Sequence, residues 1–185
     1  MSNQERGKSG LVFGARNLGG AIIDKLIADG WAMAGVARST ETLEKIAGAG
    51  ALALEADVTD QASVTRALGQ AAEANGRIDL VVNAAAAYGG TRTGPFGGGP
   101  IAEAAADAFD SWASAPARSA FAFLSGAGSF LTAQGGPATM IQVTGGSSRR
   151  AMPGRGSGRQ AHSGSARSHK RPRSSCVRTA SMSRC

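Results

Sequence analysis

The sequence has few residues that could form a disulfide, a metal site or a membrane anchor. Its two cysteines, Cys176 and Cys185, lie near the carboxyl end and form no Cys-x-x-Cys pair. That spacing is poor for zinc, even with His162 and His169 available as further ligands. No apolar run is long enough to cross a bilayer, and the first ten residues contain no apolar segment. We therefore expect a cytoplasmic protein that binds neither a metal nor a membrane.

Acidic residues are missing from the carboxyl-terminal part. All 13 Asp and Glu residues lie at or before Asp110, and residues 149–185 contain ten basic residues and no acidic one. The net charge of +7 is therefore a property of the end of the chain, because residues 1–148 have a small acidic excess. A basic protein of this size would otherwise suggest a nucleic-acid partner.

Large apolar side chains are missing from the same segment. From Arg149 onward there is no Leu, Ile, Phe, Trp or Tyr, and Val177 is the only β-branched aliphatic residue. Such a segment cannot bury enough surface to offset the entropy lost on ordering. We predict one folded domain over residues 1–150 and a basic, disordered tail over residues 151–185.

The part of the chain that is rich in apolar residues begins with a strand-like run, a glycine turn and a helix. Residues 11–13 predict a buried strand, and Ile22, Ile23, Leu26 and Ile27 recur at helical spacing. A helix that begins directly after such a turn offers free N–H groups and the positive end of its dipole to an anion. Alone, this pattern fits a plain turn as well as a nucleotide site.

Further strands and helices alternate after this unit. Strands are predicted over residues 31–37, 51–56, 77–83 and 139–144. We expect helices capped by Ser39 or Thr40 and by Thr59 or Asp60, and one or two helices over residues 101–131 with a break or a start at Pro116. The alternation predicts an α/β fold with a doubly wound parallel sheet.

Groups able to bind a ligand follow the predicted strands. Gly14, Arg38, Asp57, Asn83 and Ser147 each stand where one of the five strands ends. In an open parallel sheet, ligands bind outside the carboxyl ends of the strands. We therefore expect these five residues to lie along one edge, around a bound molecule.

Together these motifs resemble the short-chain dehydrogenase/reductase family, Rossmann-fold oxidoreductases that use NAD or NADP. The resemblance covers residues 10–156 and rests on the glycine turn at 14–20, Asp57-Val58, the segment 83–86 and the strand that ends near Ser147. It implies a Rossmann-like fold, of which the carboxyl-terminal part is incomplete here. It also implies hydride transfer between NADPH and a small carbonyl or alcohol substrate, and a possible homo-oligomer.

The resemblance implies a pyrophosphate site at the glycine turn. Gly14 and Gly20 would let the backbone approach the pyrophosphate, and Arg16, Asn17 and Leu18 lie between them. Leu18 stands where family members usually have a middle glycine.

It implies further cofactor contacts after the third and fourth strands. Asp57 and Val58 resemble the pair that touches the adenine, and Asn83, Ala84 and Ala85 resemble the segment that lines the nicotinamide ribose. Each polar residue has a structural alternative: Asp57 could cap the next helix, and Asn83 could only tie strands together.

The residue after the second strand favours NADP over NAD. A carboxylate there would bind the ribose 2′-hydroxyl of NAD and repel a 2′-phosphate, whereas this chain has Arg38, with a second cation at Arg16. The alternative is that Arg38 is only a solvated surface charge.

The family's Tyr-x-x-x-Lys motif is absent. The only tyrosine is Tyr88, and the only lysine beyond Lys45 is Lys170. In the family this tyrosine delivers a proton to the carbonyl oxygen, beside a serine that orients it. Ser147 is the candidate for that serine, with a plain turn residue as the alternative, and we expect catalytic activity to be impaired.

We hypothesise that the tail results from a shifted reading frame. Back-translation with GC-rich third positions, read one base out of register, turns the region from Gly156 onward into an amphipathic helix and an apolar strand, which the fold lacks. The restored codon across Ser157 and Gly158 ends in GG, and the one four places later ends in CA, so they encode neither Tyr nor Lys. The unshifted parent would then also be atypical.

Two other functions compete with an oxidoreductase. The tail could be a basic arm that contacts nucleic acid, but no aromatic residues are interleaved with its cations for base stacking. The chain could also be a non-catalytic family member that binds the cofactor to regulate a partner.

Overall fold

The computed structural model describes residues 7–85 and 109–144, with five strands and four α-helices in that part of the chain. The strands are β1 (Ser9–Phe13), β2 (Ala32–Ala37), β3 (Leu52–Glu55), β4 (Leu80–Asn83) and β5 (Thr139–Gln142). The helices are α1 (Leu18–Ala28), α2 (Thr40–Gly48), α3 (Gln61–Asn75) and α4 (Ala115–Gln134), and a π-helical turn (Asp110–Ser114) leads into α4. The predicted tail and Ser147 lie outside the described residues, so the predicted boundary at 150 stays a prediction.

The strands form one parallel sheet in the order β3-β2-β1-β4-β5. At its centre, Leu11 of β1 pairs with Ala34 of β2 and with Val81 of β4. The strand order reverses between β1 and β4, which opens a crevice at the carboxyl edge of the sheet. The predicted doubly wound α/β fold is confirmed.

Two apolar layers cover the sheet because successive side chains of a strand point to opposite faces. Leu11 and Phe13 pack with residues of α3 and α4, whereas Val12 packs with residues of α1 and α2. The ring of Phe13 meets that of Phe123 edge-on, with centroids 5.7 Å apart and planes at 73°. Such a pair adds about 1 kcal/mol beyond its buried area. The carboxyl end of β1 is therefore anchored to α4.

The helix boundaries follow the predicted signals. The Ser39 side chain caps α2 by accepting from the Thr42 N–H, and Asp60 caps α3 by accepting from the N–H groups of Ala62 and Ser63. Pro116 lies in the first turn of α4, directly after the π-helical turn that leads into it.

Three strands begin later than predicted, and β3 does so by one residue, at Leu52. The Trp31 N–H bonds to the Leu26 carbonyl and completes the turn after α1, so β2 begins at Ala32. The predicted start of β4, residues 77–79, lies before the strand but is bonded to β1: the Asp79 N–H donates to the Ser9 carbonyl at 3.0 Å, and the Ser9 N–H donates to the Asp79 carboxylate at 3.0 Å. The apolar pattern could not reveal this, because Ile78 is buried here just as it would be in a strand.

Candidate functional site

A cavity of about 900 Å³ lies at the carboxyl edge of the sheet, above β1, β2, β3 and β4. Most of the residues predicted from the sequence to bind a cofactor line it: Gly14, Arg16, Asn17, Leu18, Arg38, Asp57, Val58, Ala84 and Ala85. Gly20 and Asn83 do not line it. The topology thus brings together residues that are up to 71 positions apart in the chain.

Gly14 makes the turn between β1 and α1, and it does so for reasons internal to the protein. Its φ of +78° disfavours any residue with a Cβ, and a Cβ there would overlap the backbone of Ala85. Its N–H donates to the Val36 carbonyl at 3.0 Å, and the Ala15 N–H shares that acceptor at 3.2 Å. Gly14 therefore lets two segments of backbone meet, rather than leaving its own amide free for a ligand.

The two glycines at the start of α1 also make room for backbone. A Cβ at Gly19 would overlap the Gly14 carbonyl oxygen, and one at Gly20 would lie 2.9 Å from the Ala15 carbonyl oxygen. Both glycines therefore allow α1 to pack closely against the turn. The sequence prediction singled out Gly20 and passed over Gly19, although Gly19 has the tighter surroundings.

The amino-terminal end of α1 has no cap of its own. Asn17 makes no side-chain cap hydrogen bond, and the first turn contains no acidic residue. The first backbone bond of the helix runs from the Ala21 N–H to the Asn17 carbonyl at 3.1 Å, so the N–H groups of residues 18–20 have no partner within the helix. With the helix dipole behind them, these groups can bind an anion at the cavity wall.

Arg16, Arg38 and Asp57 are charged residues of the cavity wall that follow β1, β2 and β3. Arg16 and Arg38 are exposed, and Asp57 lies at the end of β3. The backbone N–H and the hydroxyl of Thr59 both bond to the Asp57 carboxylate and lower its pKa, burial acts in the opposite direction, and the charge of Arg38 lowers the pKa further. Asp57 is therefore a carboxylate that stays ionised at neutral pH, in the same cavity wall as Arg16 and Arg38.

The structure shows that Asp57 does not cap α3. Its Oδ1 accepts from the Thr59 N–H at 2.9 Å and from the Thr59 hydroxyl at 2.8 Å, which closes a tight turn after β3. Its own N–H donates to Ser63 Oγ at 3.1 Å. Asp60 caps α3, whereas Asp57 lies in the cavity wall and closes the turn after β3.

Asn83 is buried and uses both ends of its amide within the protein. Nδ2 donates to Gln142 Oε1 on β5 at 2.9 Å, and Oδ1 accepts from the Ala85 N–H at 3.0 Å. Its side chain is 1% exposed and lies outside the cavity, whereas Ala84 and Ala85 line it. The sequence-based alternative, that Asn83 ties strands together, is the arrangement found.

Sequence reasoning missed several cavity residues because their placement depends on tertiary contacts: Ser39, Thr42, Thr59, Ala115 and Arg118. The Ser39 hydroxyl donates to Thr42 Oγ1 at 2.8 Å beside the position of Arg38. Arg118 brings a third cation to the cavity from α4, and only the packing of α4 on α3 reveals it.

The described part of the chain holds neither a metal-ligand cluster nor a membrane-spanning helix. Within residues 7–85 and 109–144, no group of three His, Cys, Asp or Glu residues is placed to hold a metal ion. None of the helices described there is long and apolar enough to span a membrane.

The donors around this cavity suit a molecule with several phosphates. The amino-terminal end of α1 fits a diphosphate, the guanidinium of Arg38 fits a further phosphate, and the apolar wall at Val58 and Ala84 fits a flat ring. A dinucleotide combines these groups.

Solved oxidoreductase structures resemble this fold. The chain is 27% identical to a short-chain dehydrogenase/reductase from Serratia marcescens, with a TM-score of 0.68 over 86% of this chain and 64% of that one. It is 25% identical to levodione reductase, with a TM-score of 0.71 over 85% and 62% of the two chains. An alcohol dehydrogenase from the archaeon Thermococcus sibiricus, complexed with 5-hydroxy-NADP, is 24% identical, with a TM-score of 0.66 over 85% and 66%, and shows the fold alone.

The sequence also matches a family model. The model described as enoyl-(acyl carrier protein) reductase matches residues 13–166. No curated protein matches the sequence significantly. The chain spans less than two thirds of the length of the solved relatives above. The fold, the carboxyl-edge cavity and the family match lead to one conclusion: the chain belongs to the short-chain dehydrogenase/reductase family.

Proposed function

We propose that the cavity binds NADP, as the coenzyme site of an oxidoreductase that acts on a small carbonyl or alcohol. The observation that carries this proposal is the uncapped start of α1, which faces a cavity that Arg16 and Arg38 also line. Backbone N–H groups without a partner in the helix, together with the guanidinium groups around one cavity, favour an anion with more than one phosphate.

Each part of the coenzyme has residues that would hold it. The N–H groups of residues 18–20 would bind the diphosphate, and Arg38, assisted by Arg16, would bind the 2′-phosphate. Asp57 and Val58 would contact the adenine. Ala84 and the neighbouring Ala85 would line the nicotinamide ribose. When bound, NADPH supplies the hydride, and this chain's residues orient it and exclude water.

The preference for NADP over NAD is argued from charge. Arg38 is close enough to Asp57 to lower the pKa of its carboxyl, so the cation and the carboxylate share one corner of the cavity. A guanidinium attracts a 2′-phosphate, and no carboxylate follows β2 to repel it. The Thermococcus protein, a relative by fold, is described in complex with an NADP derivative, which agrees with this preference.

We further propose that turnover by this chain is weak or absent. The sequence has no Tyr-x-x-x-Lys motif to protonate a carbonyl oxygen, and Tyr88 and Ser147 lie outside the described residues. A second candidate function follows from the same observation: a cofactor-binding member that regulates a partner. Carbonyl-dependent oxidation of NADPH separates the two, because only an active reductase consumes the coenzyme.

Fluorescence titration with NADPH and NADH tests the coenzyme proposal. We expect saturable binding, tighter for NADPH. Arg38→Gln should weaken NADPH binding between about tenfold and a hundredfold, as expected for a lost charged hydrogen bond, and should leave NADH binding within about twofold. Lys25→Gln is the matched control, since Lys25 pairs with Asp29 at the other end of α1 and should change neither affinity. A folded protein that binds neither coenzyme contradicts the proposal.

A further inference from the structure

We propose that Gln142 is a positioning residue for the cavity, acting through Asn83. Gln142 lies on β5 and does not line the cavity, yet its side chain fixes the backbone that does. The inference rests on the proposed function in one respect, because the cavity is taken to bind NADPH.

The first link joins β5 to β4. Asn83 and Gln142 are register partners in the sheet, and Asn83 Nδ2 donates to Gln142 Oε1 at 2.9 Å. The amide of Gln142 is itself oriented, because its Nε2 donates to the Val143 carbonyl at 3.1 Å. With Oε1 directed at Asn83, only the NH₂ group of Asn83 can face β5.

The second link joins Asn83 to the cavity wall. Since Nδ2 faces β5, Oδ1 faces the other way and accepts from the Ala85 N–H at 3.0 Å. The preceding residue is held too, by a 2.9 Å bond from the Ala84 N–H to the Phe13 carbonyl. These bonds hold the Ala85 backbone in contact with Gly14, so close that a Cβ on Gly14 would overlap the Ala85 backbone. The wall formed by Ala85 and Gly14 thus depends on the orientation of one amide.

Losing the Gln142 acceptor would remove the partner that fixes the Asn83 amide in that orientation. Asn83 is almost fully buried, so an unpaired Nδ2 is costly. If the amide rotates by half a turn, Nδ2 faces the Ala85 N–H, donor against donor, and the wall loses its hydrogen bond. Wall geometry therefore changes although no residue of the wall is substituted.

Two substitutions test whether the acceptor of Gln142, rather than the size of its side chain, is what matters. Gln142→Met keeps the length and removes the acceptor, and it should weaken NADPH binding about tenfold. Gln142→Glu keeps an acceptor and should stay within about twofold of the wild type. Gln134→Met is the matched control: Gln134 bonds the Ile78 N–H at 2.8 Å and the Ile78 carbonyl at 3.0 Å, outside the cavity. It should lower Tm without changing NADPH affinity.

Amide hydrogen exchange at Ala85 in the coenzyme-free protein gives a second readout. Gln142→Met should speed exchange at this amide about tenfold, and Gln134→Met should not. This readout separates the two failures: a wild type that does not bind NADPH overturns the proposed function, whereas unchanged exchange and affinity in a folded Gln142→Met protein overturn the positioning role. If Gln142→Met does not fold, Gln142→Lys, which also lacks an acceptor, takes its place. If neither folds, the role is structural and the proposal is wrong.

Discussion

The amino-terminal ends of α1 and α3 lie at the same edge of the sheet and differ in how their first turns are satisfied. Asp60 accepts from two N–H groups of α3, each at 3.1 Å, and places a negative charge at the positive end of the helix dipole. Asn17 provides α1 with neither a side-chain acceptor nor a negative charge. The end of α2 resembles that of α3, with the Ser39 cap and Glu41 in its first turn.

This difference supports the proposal that the start of α1 is the helix end that binds a ligand. A helix end that is satisfied by its own side chains is complete within the protein, whereas the first turn of α1 leaves donors directed at a cavity. The uncapped end is also the one that sits at the crevice between β1 and β4. Four substitutions or conditions test the comparison.

The largest effect is expected at the turn that places α1. Gly14→Ala should destabilise the protein by about 3 kcal/mol or more, because a left-handed φ and an overlap with the Ala85 backbone are both imposed. Gly30→Ala, just after α1, is the control: its φ is +80°, but no atom lies within 4 Å of the added Cβ. It should cost about 1 kcal/mol. Urea unfolding measures both, and equal losses would contradict the role of the overlap.

Removing the cap of α3 should have the next largest effect. Asp60→Ala should cost about 1 kcal/mol, because two N–H groups lose their acceptor and the helix dipole loses its counter-charge. NADPH affinity should be unchanged. Urea unfolding and coenzyme titration on the same samples check this, and weaker NADPH binding would show that the end of α3 also serves the ligand.

Giving α1 a charge like that of α3 should have a smaller and opposite effect on stability. Asn17→Asp should stabilise the coenzyme-free protein by about 0.5 kcal/mol through the helix dipole, and should weaken NADPH binding about fivefold by repelling phosphate. Asp60→Asn is the matched reverse change and should leave NADPH binding alone. If Asn17→Asp raises stability but leaves NADPH affinity unchanged, the end of α1 is not the phosphate site.

The smallest effect is expected from the ionisation of Asp57. Its pKa is lowered from the usual 3.8, chiefly by the Thr59 backbone N–H, so the ionised form stabilises the fold. That contribution is complete above the pKa of the unfolded chain and is lost as the pH falls through the lower value of the folded protein. Urea midpoints between pH 5 and pH 2.5 should fall less steeply in Asp57→Asn than in the wild type. Parallel curves would contradict the effect.

The sequence predicts the parts of this molecule that local chemistry determines. The caps at Ser39 and Asp60, the helix start at Pro116 and the parallel order of alternating strands follow from short-range patterns. The cavity residues at Gly14, Arg38 and Asp57 follow from the rule that ligands bind at strand ends.

The rest depends on contacts between distant residues. Position 19 needs a glycine because a Cβ there would overlap the Gly14 carbonyl oxygen. The Asn83 amide is oriented by Gln142, 59 positions later in the chain. Arg118 reaches the cavity only because α4 packs on α3. No pattern of spacing or hydrophobicity marks these residues, since their partners are known only after the sheet is assembled.

The shared carbonyl of Val36 has a mechanical consequence for recognition of the coenzyme. It accepts from the turn amides of Gly14 and Ala15, and it lies two residues before Arg38. The backbone of the turn before α1 and the backbone that leads to Arg38 are therefore joined at one oxygen atom of the sheet. Strand pairing thus fixes the distance between the two backbone segments that carry the proposed phosphate sites, and the Arg38 side chain spans the rest.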